Sequence, residues 1–420
     1  MLSTMSYMFI LDTSEIKLQN LQTIHSKTII EPTTSTEYTL LNYDTNMVSQ
    51  DDTVRCLYNA VVLDPKTRRI LAIGPSKSCS LSKFKTCYGD TVDDTSAIQA
   101  SQLVEGLFLQ LFWDERTQLW EIGTRNSIGG NYAYYRMPNE KSLTYREMFY
   151  DAVGLSGDDR TLRQWKGLDY LDKHFCYHFI LQHPQNHMVF HYNQPALYMI
   201  GAFELHVNGI ENRIRFVPSK EYHATFPKEI GQYWVRFPKI FTVEKGANTL
   251  DKMMELYTSI QSASTDMGIL LKHTQTGDYV IVLNPAYEEL LKLRGTHPNI
   301  LYNFLCLKRV KKVKEFLNHF PQYSKLFWSF HELLESFIDK LYQSYRDHYI
   351  VKTGVQIHKK YYFHIQQLHK TIFIPSLQTT TKIVIKKPVV RAYVEQLEPG
   401  YIFHILQHEV YENSASHGGN

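Results

Sequence analysis

The residues of this chain that could carry chemistry fall into three groups. His174, Cys176 and His178 alternate along one stretch, and His183, His187 and His191 follow. Imidazole and thiolate are the usual zinc ligands, but the clustered Cys/His spacings of zinc modules are missing, so aromatic-rich strand packing is expected and no metal site. Lys308-Arg309-Val310-Lys311-Lys312-Val313-Lys314 sets basic side chains around two valines. On a helix this makes an amphipathic face with a basic rim, which could contact RNA phosphates without reading bases or simply face water. Lys382-Ile-Val-Ile-Lys-Lys387 repeats the pattern in an expected strand. Ser127-Ile-Gly-Gly-Asn131 has the composition of an anion cradle, although two glycines also make an ordinary surface turn.

Composition bounds what these groups can serve. The chain has 420 residues, 43% apolar and 21% charged, which is globular composition with room for two or three domains. A net charge of +3 is too small to imply a nucleic-acid partner, so any RNA site must be a local patch. Five cysteines without a C-x-x-C spacing fit free thiols in a reducing compartment. The amino terminus does not read as a signal peptide, and no apolar run is long enough to span a membrane. A cytoplasmic protein is expected.

The elements that must position these residues read as follows. Residues 1–50, rich in Ser and Thr, are expected to form a small adaptor. Leu57–Leu63 and Arg69–Gly74 form a hairpin about Asp64-Pro-Lys-Thr67. Gln102–Trp113 and Leu119–Thr124 form a second hairpin. A capping box at Thr144-Tyr-Arg-Glu147 opens a helix with Met148, Phe149, Ala152 and Val153 on its apolar face. Phe179 and Leu181, then Met188, Phe190 and Tyr192, alternate as two strands about His183-Pro-Gln-Asn186. Tyr233–Pro238 reads as an edge strand, and Thr249–Ser262 as a helix with Leu250, Met253, Met254, Tyr257 and Ile260 buried. Beyond residue 296 the periodicity turns helical. A stripe of Phe327, Phe330, Leu333, Leu334, Phe337, Leu341 and Tyr345 follows Pro321, and another helix starts at Pro388. The expected class is α+β, with antiparallel sheets flanked by helices over 51–295, an all-helical domain over 296–410 and a disordered tail over 411–420.

The phrase Phe179-Ile-Leu-Gln-His-Pro-Gln-Asn-His-Met-Val189 resembles the third motif of the RNA ligase branch of the covalent nucleotidyltransferases. Other pieces lie in the family's order around it. A hairpin ends in Pro75-Ser-Lys77, Glu105-Gly106 opens the signature strand, and Thr124-Arg125 closes its partner. Met267-Gly268 stands at the fourth motif, and Asn284-Pro-Ala-Tyr287 with Leu293-Arg-Gly295 trails the fifth. The resemblance implies a nucleotidyltransferase-like fold, ATP and Mg as cofactors in active members, and a helical domain that steers RNA.

Such enzymes attack the α-phosphate of ATP with an unprotonated lysine amine, while carboxylates hold the metal and lysines neutralise phosphate charge. Carried onto this chain, the nucleophile's position falls on Leu103 and the third-motif acid's on Ile180. The fourth-motif glutamate falls on Met267, with Asp266 one step away, and the fifth-motif lysines on Ile281 and Leu283. What remains of the pocket is Lys77, Glu105, Gly106, Thr124, Arg125, Phe179, Gly268 and Asn284. No catalytic residue, bound cofactor or metal is therefore expected. The expectation is an inactive RNA-ligase-like protein, a pseudoenzyme from a large cytoplasmic DNA virus and packaged in the virion, that binds RNA through Lys308, Arg309, Lys311, Lys312 and Lys314 or scaffolds other viral proteins. The alternatives are an active RNA ligase with a relocated lysine, Lys77 being the nearest, and a virion assembly protein that touches no nucleic acid.

Overall fold

The computed structural model describes residues 7–91, 97–133, 142–208, 211–225, 235–241, 249–257, 267–380 and 382–407. Asp266, Tyr233-Trp234, the later part of the helix expected up to Ser262, and the expected tail over 411–420 lie outside them. The chain divides into two compact units, Met1–Lys292 and Leu293–Asn420. No helix among the described residues is long and apolar enough to cross a membrane.

The first unit is mixed α+β. Its strands are β1 (Met8–Ile10), β2 (Ile24–Glu31), β3 (Thr36–Tyr43), β4 (Val61–Leu63), β5 (Ile70–Ala72), β6 (Ile98–Gln102), β7 (Leu107–Asp114), β8 (Leu119–Gly123), β9 (Phe175–Gln182), β10 (Ala196–Asn208), β11 (Glu211–Phe216), β12 (Gly268–His273) and β13 (Tyr279–Leu283). They make a six-stranded sheet ordered β1-β11-β10-β9-β7-β8, a three-stranded sheet β13-β12-β6 and a four-stranded sheet β2-β3-β4-β5. Neighbouring strands run antiparallel. Residues 1–50, expected as a small adaptor packing on the main domain, supply β1 to the large sheet and β2–β3 to the four-stranded one.

Strands β7 and β9 are covered on both faces, which is why their sequences run almost without polar interruption. Tyr177, Phe179 and Leu181 on one face of β9 join Leu109, Leu111, Met148, Phe149 and Trp165 in the main core. The helix Tyr145–Ala152 is held there by the expected capping box, Thr144 Oγ1 accepting from Glu147 N and Glu147 Oε2 from Thr144 N. On the other face of β9, Cys176 packs with Val62 and Phe112, leaving His178 and Ile180 to look toward the three-stranded sheet. That sheet divides its faces the same way. Ile98, Ala100, Ile269, Leu271 and Val280 pack with Phe84, Leu250 and Met253, so the alternate residues of β6, β12 and β13 point back at β9.

Three expectations of local structure are corrected. The apolar run from Gln102 to Trp113 is two strands in two different sheets, because Leu103–Gly106 carries the chain from one to the other. Met188–Tyr192 is a loop, its backbone N–H groups bonding a side chain (below) instead of a strand. Lys382–Lys386 is not a strand but an extended approach to the helix Lys387–Gln396.

The loop at Gly129-Gly130 is packed from within rather than open to an anion. Arg146 donates to the Gly129 carbonyl and to Glu121, and Glu31 lies 3.7 Å from the same guanidinium. Asn131 Nδ2 donates to Glu31 Oε1 at 3.0 Å. Burial holds the Glu121 carboxyl up near 7, against the pull of Arg146.

The second unit is helical among its described residues. Its helices include Ile300–Arg309, Val313–His319, Ser324–Tyr345, Lys359–Gln367 and Lys387–Gln396. The expected stripe is its core, with Phe327, Phe330, Leu334, Phe337, Leu341 and Tyr345 buried. Phe316 stacks on Phe327 with centroids 4.9 Å apart. The basic stretch is a corner between two helices, not one amphipathic helix. Lys311 adopts φ 59°, which ends the first helix before Val313 begins the next.

Two buried carboxylates lean on one guanidinium at Arg146. Removing it leaves Glu121 with the Ile122 N–H and Glu31 with Thr34 and Asn131 but no cation, so Arg146→Met is expected to lower the unfolding free energy by roughly 3 kcal/mol, read from denaturant melts against wild type.

Candidate functional site

The two opposed sheet faces enclose a cavity of about 310 Å³ within the first unit. The large sheet contributes Phe108, His178, Ile180, Ile200–Phe203 and Phe216, and the small sheet contributes Gln99, Ser101, Leu270, Lys272, Tyr279 and Ile281. Leu103 and Val104 close one end, where the chain crosses between sheets. Leu103 N donates to the Gly268 carbonyl at 3.0 Å, so position 103 is fixed at this crossing.

The crossing is clasped by Glu105. Its carboxylate accepts from the backbone N–H groups of Met188, Val189 and Phe190 at 3.2–3.3 Å and from the Tyr192 hydroxyl at 3.0 Å. Hydrogen bonds to a charged acceptor are among the stronger ones in proteins, and burial first, then this carboxylate, raises the Tyr192 phenol. Gly106 permits close strand contact: a Cβ there would lie 2.6 Å from both Ile180 Cγ2 and the Leu181 carbonyl oxygen.

Of the positions that sequence resemblance singles out, Leu103, Ile180 and Ile281 line the cavity together. Met267 and Leu283 are not among its lining residues. The eight residues read as the remnant of a pocket serve other contacts. Lys77 Nζ donates to the Thr45 and Val48 carbonyls and lies 5.4 Å from the Tyr43 ring centroid. Arg125 covers the other part of that surface, 4.6 Å from the same centroid. Thr124 Oγ1 accepts from the N–H groups of Asn126 and Ser127 in a tight turn. Phe179 is in the core, and Gly268 lets β12 and β13 approach, since a Cβ would strike the Val282 carbonyl. Asn284 Oδ1 accepts from Ala286 N at the start of the helix Pro285–Arg294. Glu105 and Gly106 act as described above. The histidines and Cys176 do not assemble either. Among the described residues no group of three or more His, Cys, Asp or Glu converges.

What the sequence reading passed over is Lys272. It sits on β12 opposite Gln99, on the cavity-facing parity shared with Leu270. Its ammonium donates to the Ile200 carbonyl at 3.1 Å and lies 5.9 Å from the Phe216 centroid. The Tyr222 hydroxyl donates to the same carbonyl at 3.3 Å. Among the described residues no carboxylate pairs with Lys272, and none lines the cavity. Burial alone pulls its amine from 10.5 to about 8. Two neighbouring imidazoles stay neutral: burial brings His178 down to about 4 while its Nε2 contacts the Ile73 carbonyl at 2.6 Å, and burial, then Lys272, lowers His223. A lysine inside an aliphatic strand run, Gly268-Ile-Leu-Leu-Lys272, was the available signal. It becomes meaningful only once the facing of that strand is known.

Chemically, the described lining of the cavity offers one cation, several hydroxyls and amides, and an apolar wall. Among the described residues it offers no carboxylate to hold a divalent metal.

No family model matches the chain. An RNA ligase of Rhodothermus phage RM378 is 24% identical over 223 residues, covering 50% of this chain and 45% of that protein. The chain thus aligns with less than half the length of this curated relative. Among solved structures, an archaeal ATP-dependent RNA ligase aligns over 76% of this chain and 70% of its own at 12% identity and a TM-score of 0.38. A putative ATP-dependent DNA ligase from Aquifex aeolicus aligns over 79% and 78% at 11% identity and 0.37. A Naegleria gruberi RNA ligase solved with ATP and Mn aligns over 50% and 54% at 9% identity and 0.35.

A half-buried ammonium that meets one carbonyl and no acid among the described residues weakens the fold. Lys272 titrates near 8 when folded against an ordinary 10.5, so between those values the unfolded chain binds more protons and stability rises with pH. Below 8 the cost is fully present. Lys272→Met is therefore expected to be more stable than wild type by roughly 2–3 kcal/mol at neutral pH, the difference shrinking as pH climbs toward 10.5, in parallel urea melts.

Proposed function

From the chain's relationship to the RNA ligase branch of the covalent nucleotidyltransferases, we propose an RNA-ligase-like protein that does not form a lysyl-AMP and that binds RNA through its helical unit. The observation that carries this reading is the cavity's composition: Leu103, Ile180 and Ile281 stand in it, and among the described residues no carboxylate does. An aliphatic side chain cannot attack phosphorus or hold a metal. Each lost transition-state donor costs roughly 3–4 kcal/mol.

For the RNA contact, support comes from the corner between the helices Ile300–Arg309 and Val313–His319. Lys308, Lys311 and Lys314 rim a groove with Phe304, Phe327 and His331, and Trp328 stands 65% exposed beside them. An exposed indole among lysines suits a base stacked on the ring with its phosphates on the ammonium groups. Arg309 and Lys312 are engaged with Glu398 and Glu315, so they contribute less. The viral origin and virion packaging expected above remain part of this proposal.

A second reading is favoured by one observation. Lys272 lines the cavity, half-buried, with its amine drawn down to about 8, as a relocated nucleophile requires. ATP and a divalent metal would then be its cofactors.

Incubation with α-labelled ATP and Mg or Mn separates the two. No covalent label is expected; a labelled band that vanishes in Lys272→Arg establishes the second reading instead. For RNA, single-strand binding is expected to weaken with salt, and Lys308→Ala/Lys311→Ala/Lys314→Ala to reduce the log–log salt slope by about 2. An unchanged slope would remove this corner from the RNA contact.

A further inference from the structure

The cavity is polar at one end and apolar at the other. Strand register sets this out: Lys272 pairs with Gln99, Leu270 with Ser101, and the strand then reaches Leu103, about 13 Å away at some 3.3 Å per residue. Around Lys272 stand Ser219, whose hydroxyl lies 3.2 Å from Gln99 Oε1, and His223. Around Leu103 stand Ile180, Leu270 and Ile281.

A cation taken out of water is costly unless an anion or several hydrogen bonds meet it. Here the protein supplies Lys272 with one carbonyl and a distant ring, and no acid among the described residues. Among the described residues that charge is left for a ligand in the cavity to meet. A triphosphate brings several negative charges and calls for several cations, whereas the described residues of this cavity present one. Ligand sites are commonly apolar with a few placed polar groups, in volumes from about 300 Å³ upward, and this cavity has about 310 Å³.

We propose that the cavity binds a small amphipathic carboxylate, its aromatic or short aliphatic body against Leu103 and Ile281 and its head on the Lys272 ammonium. This rests on the cavity alone and not on the RNA reading. The site is a non-covalent receptor for one such molecule per chain.

Calorimetric titration of the full chain with indole-3-acetate and with octanoate, each against its uncharged alcohol, tests it. The acids are expected to bind one per chain and at least tenfold more tightly than the matching alcohols. Lys272→Met should bind acid and alcohol alike, and Leu103→Trp, which fills the apolar end, should bind neither, both variants keeping a cooperative melt. Absence of acid binding, equal affinity of acid and alcohol in wild type, or discrimination persisting in Lys272→Met would overturn the proposal. So would ATP-Mg binding there more tightly than either acid. None of these outcomes depends on the labelling or RNA experiments, so the two readings fail separately.

Discussion

The Glu105 carboxylate, buried under three backbone N–H groups and a tyrosine hydroxyl, is the contact on which the cleft depends. It ties the point where the chain leaves the small sheet for the large one to the loop that follows β9. That holds Leu103 at the mouth of the space between sheets, and the strand alternation of β6, β9 and β12 then dictates which side chains look inward. Glu105 itself faces its loop, so an acidic residue in the signature element here does structural work.

Inside the cleft the balance of charge is unusual. The large sheet contributes apolar side chains and a neutral imidazole; the small sheet contributes Leu270 and Ile281 as well as amides, hydroxyls and an ammonium. Nucleotide transfer of the lysyl-AMP type rests on acids and cations placed together, because charge moving between oxygen and phosphorus must be met as it develops. A lone ammonium facing a greasy wall meets an anionic head and an apolar body better. The helical unit divides its chemistry differently, with three lysines and an exposed indole on one corner.

Much of the fold was legible before any coordinates. The capping box at Thr144, the hairpins and the helical stripe from Phe327 each follow from local pattern, and the α+β class follows from their order. Less legible were features decided by distant partners. Met188, Phe190 and Tyr192 alternate like a strand, yet alternation reports where side chains point and not where the N–H groups go, and those went to Glu105. The basic stretch around Lys311 carries helical spacing, but a left-handed backbone at one lysine breaks it into a corner. Lys272 hid for the opposite reason. One lysine in an aliphatic run looks like a surface position until the pairing of β12 with β6 shows that its face is the inward one.

The central claim is that Lys272 carries a positive charge in the cleft with no acid among the described residues to balance it. Site-resolved NMR titration of the Lys272 side chain, assigned by comparison with Lys272→Arg, measures this directly. A midpoint near 8 is the expected result. A midpoint at the ordinary 10.5 would put the amine in water, and one above it would place a carboxylate beside the amine; either contradicts the claim.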